Sequence, residues 1–189
     1  MRAVAAPSRT QYAILGLLAS GPRSGYDIKK EVTERIAHFW NESIGHLYPV
    51  LRRLLDRGLV TRTSETAGSR PTRHVYAITA EGRQELEYWL REPVVPSPPR
   101  LEILLKLYFG AHATPEVLTG HIEAYREGRA RQLATLQAVH DMLGARPSTD
   151  DTRYLRMTVR AGVHSARAAL AWCDEVLAEQ QALAREADR

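Results

Sequence analysis

The hydrophobic positions of the chain recur mostly at intervals of three and four residues, the spacing of one face of an α-helix. In the segment 43–60 the stripe consists of Ile44, Leu47, Leu51, Leu54 and Leu55, and the opposite face carries His46, Tyr48, Arg52, Arg53 and Asp56. Ser43 is a suitable N-cap, and Gly58 stands where a left-handed C-cap is needed. We predict a helix with both ends specified, in which Pro49 produces a kink or a loosened first turn.

Two further helices are predicted before this one. The first covers residues from about 8 or 9 to 19. The second begins at Ser24, where Asp27 three residues later completes a variant of the capping box, and continues to Ile36. A helix, a short connection and a helix with a basic outer face form a helix-turn-helix, here with a slightly long turn.

Two short strands and a turn-forming loop follow. Residues 59–63 predict one strand and residues 73–79 predict another, with side chains that alternate along it. The loop 64–72 consists of small, polar and turn-forming residues, which is typical of the tip of a β-hairpin, or wing. A helix capped by Thr79 and ending near Arg91 completes this half.

Prolines separate the two halves of the chain. Four prolines fall within residues 93–99, so the preceding helix cannot continue there. We therefore predict a winged helix-turn-helix domain at 1–92, a proline-rich linker at 93–100 and an all-helical domain at 101–189. The fold class is mainly α with a small β-hairpin.

The second domain is predicted to contain three helices. A short apolar helix at about residues 100–110 is expected to be buried on more than one side. Thr114 and Pro115 start a second helix, as an N-cap followed by proline at the first helical position. That helix stops at 144–147, and Ser148 or Thr149 starts the last one, which reaches about residue 184.

The last helix carries a heptad repeat of small and apolar residues, which predicts a coiled-coil-like seam. Its members are Leu155, Gly162, Ala169, Val176 and Leu183, with Thr158, Ser165 and Trp172 at the intervening positions of the same face. The small residues at its centre would let another helix approach closely. The seam either contacts the preceding helix or joins two copies of the chain, and we favour a dimer contact.

Charge is distributed unevenly between the halves. The 189 residues carry a net charge of +4 and are 44% hydrophobic, an ordinary composition for a globular protein. Residues 1–92 contain 14 Lys and Arg against 10 Asp and Glu, whereas residues 93–189 contain 12 against 12. The whole basic excess therefore lies in the half with the helix-turn-helix, which suits contact with a polyanion.

Targeting and disulfide signals are weak. Residues 12–19 resemble a short signal-peptide core, but the run is short, contains Gly16 and leads into patterned helix. No stretch approaches the roughly 18 apolar residues of a membrane span. The single Cys173 excludes a disulfide framework, which fits a reducing compartment. We expect a soluble, cytoplasmic protein.

Patterns for catalysis and metal binding are missing from the sequence. The seven histidines include no HxxxH pair and none lies beside Cys173 in a ligand pattern. The chain has no GxSxG motif and no glycine-rich phosphate loop. We therefore expect no enzyme activity, no metal and no cofactor.

Several runs of the first half together resemble the PadR family of transcriptional regulators. They are Ile14-Leu15-Gly16-Leu17-Leu18, Ser24-Gly25-Tyr26-Asp27-Ile28, Trp40, Ser43, Gly45, Leu47-Tyr48-Pro49-Val50-Leu51-Arg52-Arg53-Leu54 and Gly58-Leu59-Val60, followed by Tyr76, Thr79 and Gly82. They cover residues of about 10–90, in order and at the family's spacing. The linker and the helical second half are similar to the longer, Vir-like subgroup.

The resemblance implies a winged helix that binds operator DNA as a two-fold dimer, usually as a repressor that a small molecule can release. On the recognition helix it implicates Ser43, Gly45, His46, Tyr48 and Arg52, and in the wing Arg70 and Arg73. Arg53 lies on the same outer face as Arg52. By their charge, Lys29, Lys30, Arg62, Arg70 and Arg73 suit contacts to phosphates.

The partners expected are thus double-stranded operator DNA, a second copy of the chain and a small-molecule effector. Aromatic residues, Trp89 and Trp172 first, are candidates to line an effector pocket at the domain junction or the dimer interface. The alternative is a winged-helix module for protein–protein contact that does not bind specific DNA.

Overall fold

In the computed structural model the chain divides into two compact units, Met1–Pro96 and Ser97–Arg189. The structure describes residues 9–36, 39, 47–65, 73–96, 100–147 and 149–187. Helices dominate both units, and the first also contains a three-stranded antiparallel sheet. These elements confirm the predicted fold class. None of the helices in the described ranges is long and apolar enough to cross a membrane.

The first unit is a winged helix. Its elements are α1 (Thr10–Ala19), β1 (Arg23–Ser24), α2 (Gly25–Glu31), a π-helical segment (Val32–Ile36), α3 (Leu47–Asp56), β2 (Val60–Glu65), β3 (Arg73–Ile78) and α4 (Ala80–Arg91). The sheet order is β1-β3-β2, with β2 and β3 paired from Val60 opposite Ile78 to Glu65 opposite Arg73. The hairpin is thus confirmed, while its tip at 66–72 lies outside the described residues.

One apolar core holds this unit together. Each of the first three helices contributes side chains that are fully or almost fully buried, among them Ile14, Leu15, Leu18, Ile28, Leu51 and Leu54. Tyr76 of the central strand and Leu59 close the core from the sheet side. The helices therefore pack by the stripes that their periodicity predicts, and the burial of large aliphatic side chains stabilises the unit.

Two features of this unit are not predicted by the spacing of its hydrophobic residues. Strand β1 has only two residues, and it forms because Arg23 and Ser24 pair with Tyr76 and Val75 of β3. The second helix, predicted as continuous to Ile36, changes to π-helical geometry after Glu31. Strand β1 depends on a partner about fifty residues away in the sequence.

The second unit is built on two long helices. Its elements are α5 (Glu102–Tyr108), a 3₁₀ turn (Gly110–His112), α6 (Pro115–Gly144) and α7 (Asp150–Ala187). Pro115 occupies the first turn of α6 as predicted, although Thr114 makes no side-chain cap hydrogen bond. Thr149 caps α7 by accepting a hydrogen bond from the Thr152 N–H at 3.3 Å. Ser148, the other predicted start, lies outside the described residues.

The seam that α7 buries within the chain is not the predicted heptad seam. The buried residues of α7 are Val159, Val163, Ala166 and Cys173. They lie one position further along the helix than Thr158, Gly162, Ser165 and Trp172 of the predicted seam. Ser165 is exposed and Gly162 is half-buried, whereas Leu155, Trp172 and Val176 pack at the edges of the internal clusters. The side chain of Leu183 lies outside the described residues.

The prediction that the short helix at about residues 100–110 is buried on more than one side is wrong for the unit as it stands. In α5 only Ile103 is buried, against Ile122 and Cys173. Leu105 is 59% exposed and Tyr108 is 83% exposed. A seven-residue helix that contacts its unit along one edge can bury only one stripe, so its other apolar side chains face outward.

Candidate nucleic-acid interface

Helix α3 separates buried from outward-facing side chains as its sequence predicts. Leu47, Leu51 and Leu54 are buried, while Arg52 and Arg53 are exposed and Tyr48 is 60% exposed. Tyr48 and Arg52 are four residues apart and therefore share one face of the helix. An arginine and a tyrosine on one exposed helix face provide hydrogen-bond donors to the base edges and phosphates of DNA.

The C-terminal end of α3 is fixed by backbone hydrogen bonds around Gly58. Gly58 has φ +68°, a left-handed conformation that glycine adopts without steric cost. The Gly58 N–H donates to the Leu55 carbonyl at 2.9 Å, and the Leu59 N–H donates to the Leu54 carbonyl at 2.9 Å. This pair of bonds is the Schellman motif, so the predicted C-cap is confirmed. Ser43, the predicted N-cap, lies outside the described residues. Pro49 is the third residue of α3, and residues 43–46, where its predicted kink or loosened first turn would be seen, are also outside the described residues.

Helices α2 and α3 meet at Gly25. A side chain added at Gly25 would place its Cβ 3.0 Å from Cε1 of Tyr48, so the missing side chain lets the tyrosine ring lie against the start of α2. Tyr26, the next residue, is 72% exposed, and Lys29 is also exposed. Lys29 lies three residues beyond Tyr26 and shares its helix face. The exposed polar surface of α3 therefore extends onto α2.

The start of α2 is tied to the wing. The Asp27 N–H donates to Ser24 Oγ at 3.2 Å, and the Ser24 N–H donates to Asp27 Oδ2 at 3.3 Å, which confirms the predicted capping box. Arg73 of β3 donates to Ser24 Oγ at 3.2 Å and to the Asp27 carboxylate. The hydrogen bonds from Ser24 and the positive charge of Arg73 lower the pKa of Asp27. Arg73, a predicted wing contact, thus holds the wing against α2.

A shallow depression of about 540 Å³ lies over this junction. Tyr26, Tyr48, Arg73 and His74 contribute to its lining. The capping box, the recognition helix and the base of the wing therefore surround one polar surface. Tyr26 is not among the predicted DNA contacts, although its spacing from Lys29 places the two side chains on one face of α2.

The remaining predicted DNA contacts are distributed as follows. Arg62 is an exposed residue of β2. Ser43, Gly45, His46 and Arg70 lie outside the described residues. Of the eleven predicted contact residues, the seven described are thus all exposed on α2, α3 or the hairpin. In the described parts of the chain, no group of three or more His, Cys, Asp or Glu is placed to hold a metal ion.

The two tryptophans predicted for an effector pocket lie in different units. Trp89 of α4 stacks on Tyr12 of α1, with ring centroids 4.6 Å apart and an interplanar angle of 5°. Trp172 of α7 packs edge to face with Tyr125 at 6.1 Å. Each tryptophan therefore has its own aromatic partner within its unit.

Comparisons with known proteins agree with this geometry. Residues 14–88 match the "Transcriptional regulator PadR-like family", and residues 99–181 match the "Virulence activator alpha C-term" family. The Negative transcriptional regulator PadR of Bacillus subtilis is 31% identical over 175 residues, which span 89% of this chain and 95% of that protein. The chain belongs to the PadR-like family of transcriptional regulators. The resemblance to the longer, Vir-like members is also confirmed.

Two solved structures of the B. subtilis PadR are similar over nearly the full length. Its complex with operator DNA has a TM-score of 0.79 at 29% identity and covers 92% of this chain and 99% of that one. Its complex with p-coumaric acid has a TM-score of 0.74 at 28% identity, with the same shares covered. The B. subtilis PadR is thus similar to this chain over both units.

Proposed function

We propose that the chain is a sequence-specific DNA-binding repressor that acts as a homodimer and responds to a small molecule. The proposed activity is not enzymatic, and operator binding would place the protein in the compartment that holds the chromosome, the cytoplasm. The observation that carries the proposal is the continuous outward surface of α3 and α2, with exposed Tyr48, Arg52, Tyr26 and Lys29. The operator complex of the B. subtilis PadR supports it.

In this proposal the recognition helix, α3, enters the major groove. Arg52 donates two hydrogen bonds to guanine O6 and N7, a contact worth roughly 1–3 kcal/mol of discrimination against another base. Lys29, Tyr26 and Arg62 contact phosphates, which adds affinity that falls as salt concentration rises. Arg73 keeps its bonds to Asp27 and Ser24 and thereby sets the angle between the wing and α2.

Homodimer formation would supply the second recognition helix. DNA half-sites lie about one helical turn, ~34 Å, apart, so the two copies must be held at a fixed spacing. The half-buried Gly162 and Ala169 and the exposed Ser165 leave part of the α7 seam available to a partner helix. The exposed apolar side chains of α5, among them Leu105 and Tyr108, offer a second contact.

The experiment is selection of duplexes from a random-sequence pool, followed by affinity measurements at several salt concentrations. We expect enrichment of a two-fold symmetric site. Arg52→Ala should weaken binding to the selected site by roughly tenfold or more, since a bidentate base contact is lost. Its binding to unrelated duplex should change much less.

The matched control is Arg91→Ala, which removes an exposed arginine of α4 that pairs with Glu87. It should bind the selected site as the unsubstituted protein does. If the pool yields no enriched sequence, the protein is not a specific DNA binder, and the protein–protein module becomes the better description. If Arg52→Ala weakens selected and unrelated duplexes equally, Arg52 reads phosphates and not bases.

A further inference from the structure

The second unit contains a groove between its two long helices, with a volume of about 560 Å³. Six polar or charged side chains contribute to its lining: Gln137, His140 and Asp141 of α6, and Arg160, His164 and Arg167 of α7. Within each helix these residues are three or four positions apart, so each set lies on one helix face. Buried Val163 supplies apolar surface between them. We call it the polar groove.

The two arginines of the polar groove are not committed to other groups. In the described parts of the chain, neither Arg160 nor Arg167 has a hydrogen-bond or ion-pair partner. Arg156, one turn earlier on α7, instead donates to the Leu143 carbonyl at 3.0 Å. Asp141 lines the same groove and forms no ion pair with either arginine. The charged groups thus surround an open space and do not neutralise one another.

The lining indicates which class of molecule the polar groove would accept. The two guanidinium groups remain charged and present forked N–H donors that match phosphate oxygens, and a histidine ring also carries an N–H donor. Two permanent positive charges face one carboxylate, so an anion is attracted. Asp141 and Gln137 can accept hydrogen bonds from hydroxyl groups. The volume lies within the ~300–1,000 Å³ typical of small-molecule sites, so there is room for more than a phosphate group.

The polar groove also lies away from the helix face that we assign to the contact between copies. Arg160 and Gly162 are two positions apart, which corresponds to about 200° around a helix. The side chains of the polar groove and the small residues of the α7 seam therefore point to nearly opposite sides of α7. A dimer formed through Gly162 and Ala169 leaves the polar groove open.

We propose that the polar groove binds a phosphate monoester of a hydroxyl-bearing compound, such as a sugar phosphate. The phosphate group accepts hydrogen bonds from Arg160, Arg167 and the two histidines, and the hydroxyl groups contact Asp141 and Gln137. This site does not depend on the DNA-binding function proposed above. Its failure and the failure of that function are separate results, because every measurement below is made without DNA.

Binding is tested by calorimetry on the full chain in phosphate-free buffer with ribose 5-phosphate, inorganic phosphate and ribose. We expect ribose 5-phosphate to bind roughly fivefold or more tightly than inorganic phosphate, and ribose not to bind at about 10 mM. Arg160→Gln and Arg167→Gln should each weaken ribose 5-phosphate by roughly fivefold or more, since charge-assisted hydrogen bonds are lost. The matched control is Arg131→Gln, at an exposed arginine of α6 that pairs with Glu127; it should leave the affinity unchanged. No binding of ribose 5-phosphate at about 10 mM, or equal loss in the control, would overturn the site.

The hydroxyl contact has its own variant. Asp141→Ala should weaken ribose 5-phosphate by roughly threefold or more, because an acceptor for its hydroxyl groups is lost. Inorganic phosphate should bind the same variant as well as before or more tightly, because a like charge is removed. Glu123→Ala, at another exposed acidic position of α6, should change neither affinity. Weaker binding of both ligands to Asp141→Ala would contradict the hydroxyl contact.

A measurement on the unsubstituted protein guards against a misfolded variant and locates the ligand. The seven histidines give ring signals in a ¹H–¹³C NMR spectrum, which single His→Gln substitutions assign. Ribose 5-phosphate should shift the signals of His140 and His164 together, with one saturation curve. His74 lies beside the proposed DNA surface, so a shift confined to His74 would place the phosphate there and overturn the polar groove.

Sedimentation separates a ligand site from a contact between copies. Arg160→Gln and Arg167→Gln should sediment as the unsubstituted protein does, because the polar groove faces away from the α7 seam. If either substitution changes the oligomeric state, the arginines pair with the second copy, and the polar groove is not a site for a phosphate monoester.

Discussion

Among the described glycines of the first unit, Gly82 is the one where an added methyl group would meet the closest atoms. A Cβ at residue 82 would lie 2.1 Å from the Leu59 carbonyl oxygen and 2.8 Å from Cγ1 of Ile78. Gly82 also donates its N–H to the Thr79 hydroxyl at 3.0 Å, and that hydroxyl donates to the Gly58 carbonyl at 2.9 Å. The start of α4 is therefore held against the backbone that ends the recognition helix. Gly82→Ala must push these two backbones apart.

The net effect is a difference between two terms. Alanine is preferred over glycine inside a helix by up to about 1 kcal/mol. Forcing an extra group into a packed site costs about 1–3 kcal/mol, and contact with a backbone oxygen, which cannot rotate away, belongs at or above the upper end. We expect Gly82→Ala to lower the free energy of unfolding of the first unit by about 2 kcal/mol or more. For a domain of this size that corresponds to roughly 8–16 °C in Tm.

The assay is urea unfolding followed by circular dichroism, with linear extrapolation to zero denaturant. Gly128→Ala in α6 is the matched control, because an added Cβ there meets no atom within 4 Å. That control should be neutral or slightly stabilising, as helix propensity alone requires. If Gly82→Ala is as stable as the unsubstituted protein, α4 does not pack tightly against Leu59 and the reasoning fails.

Two further predictions concern the wing and the dimer. The lowered pKa of Asp27 means that its ionised form stabilises the fold fully above the unfolded value of 3.8 and loses this effect as pH falls through the folded pKa. In urea titrations, Asp27→Asn should therefore have a lower free energy of unfolding than the unsubstituted protein at about pH 6. This difference in free energy should shrink below about pH 4, and a difference that does not change with pH would refute the ionic contribution. Ala169→Arg should yield a monomer in sedimentation, whereas Ala171→Arg, at an exposed position of the same helix, should leave the dimer intact. If Ala169→Arg remains a dimer, the α7 seam is not the interface.

Local signals predicted most of the first unit. The capping box of Ser24 and Asp27, the left-handed Gly58 and the cap of α4 at Thr79 all depend on residues within a few positions of each other. The buried stripe of α3 follows from helical period alone. These features are visible in sequence because the groups that satisfy them are sequence neighbours.

Contacts between residues that are distant in the sequence could not be predicted from such local signals. Arg73 was predicted to contact DNA from the wing, and in the structure it pairs with Asp27, 46 residues away in the sequence. The pairing of Tyr12 with Trp89, and the hydrogen bonds that join Tyr12 and Arg57 through Glu85, bring together α1, α4 and the residue that follows α3. A single sequence carries no signal for such partners.

The heptad repeat of α7 shows both what local spacing predicts and what only packing between helices decides. Periodicity specified that a long helix would present an apolar seam, and the helix spans Asp150–Ala187. Which seam is buried was decided by packing against α6, and Val159, Val163, Ala166 and Cys173 occupy it, one position away from the predicted set. The sequence by itself determined where the main helices lie, the caps at Ser24, Gly58 and Thr79, and the polar outer face of α3, because these depend on local spacing. The tertiary structure decided which faces meet and which charges are paired, because those depend on where the chain brings distant residues together.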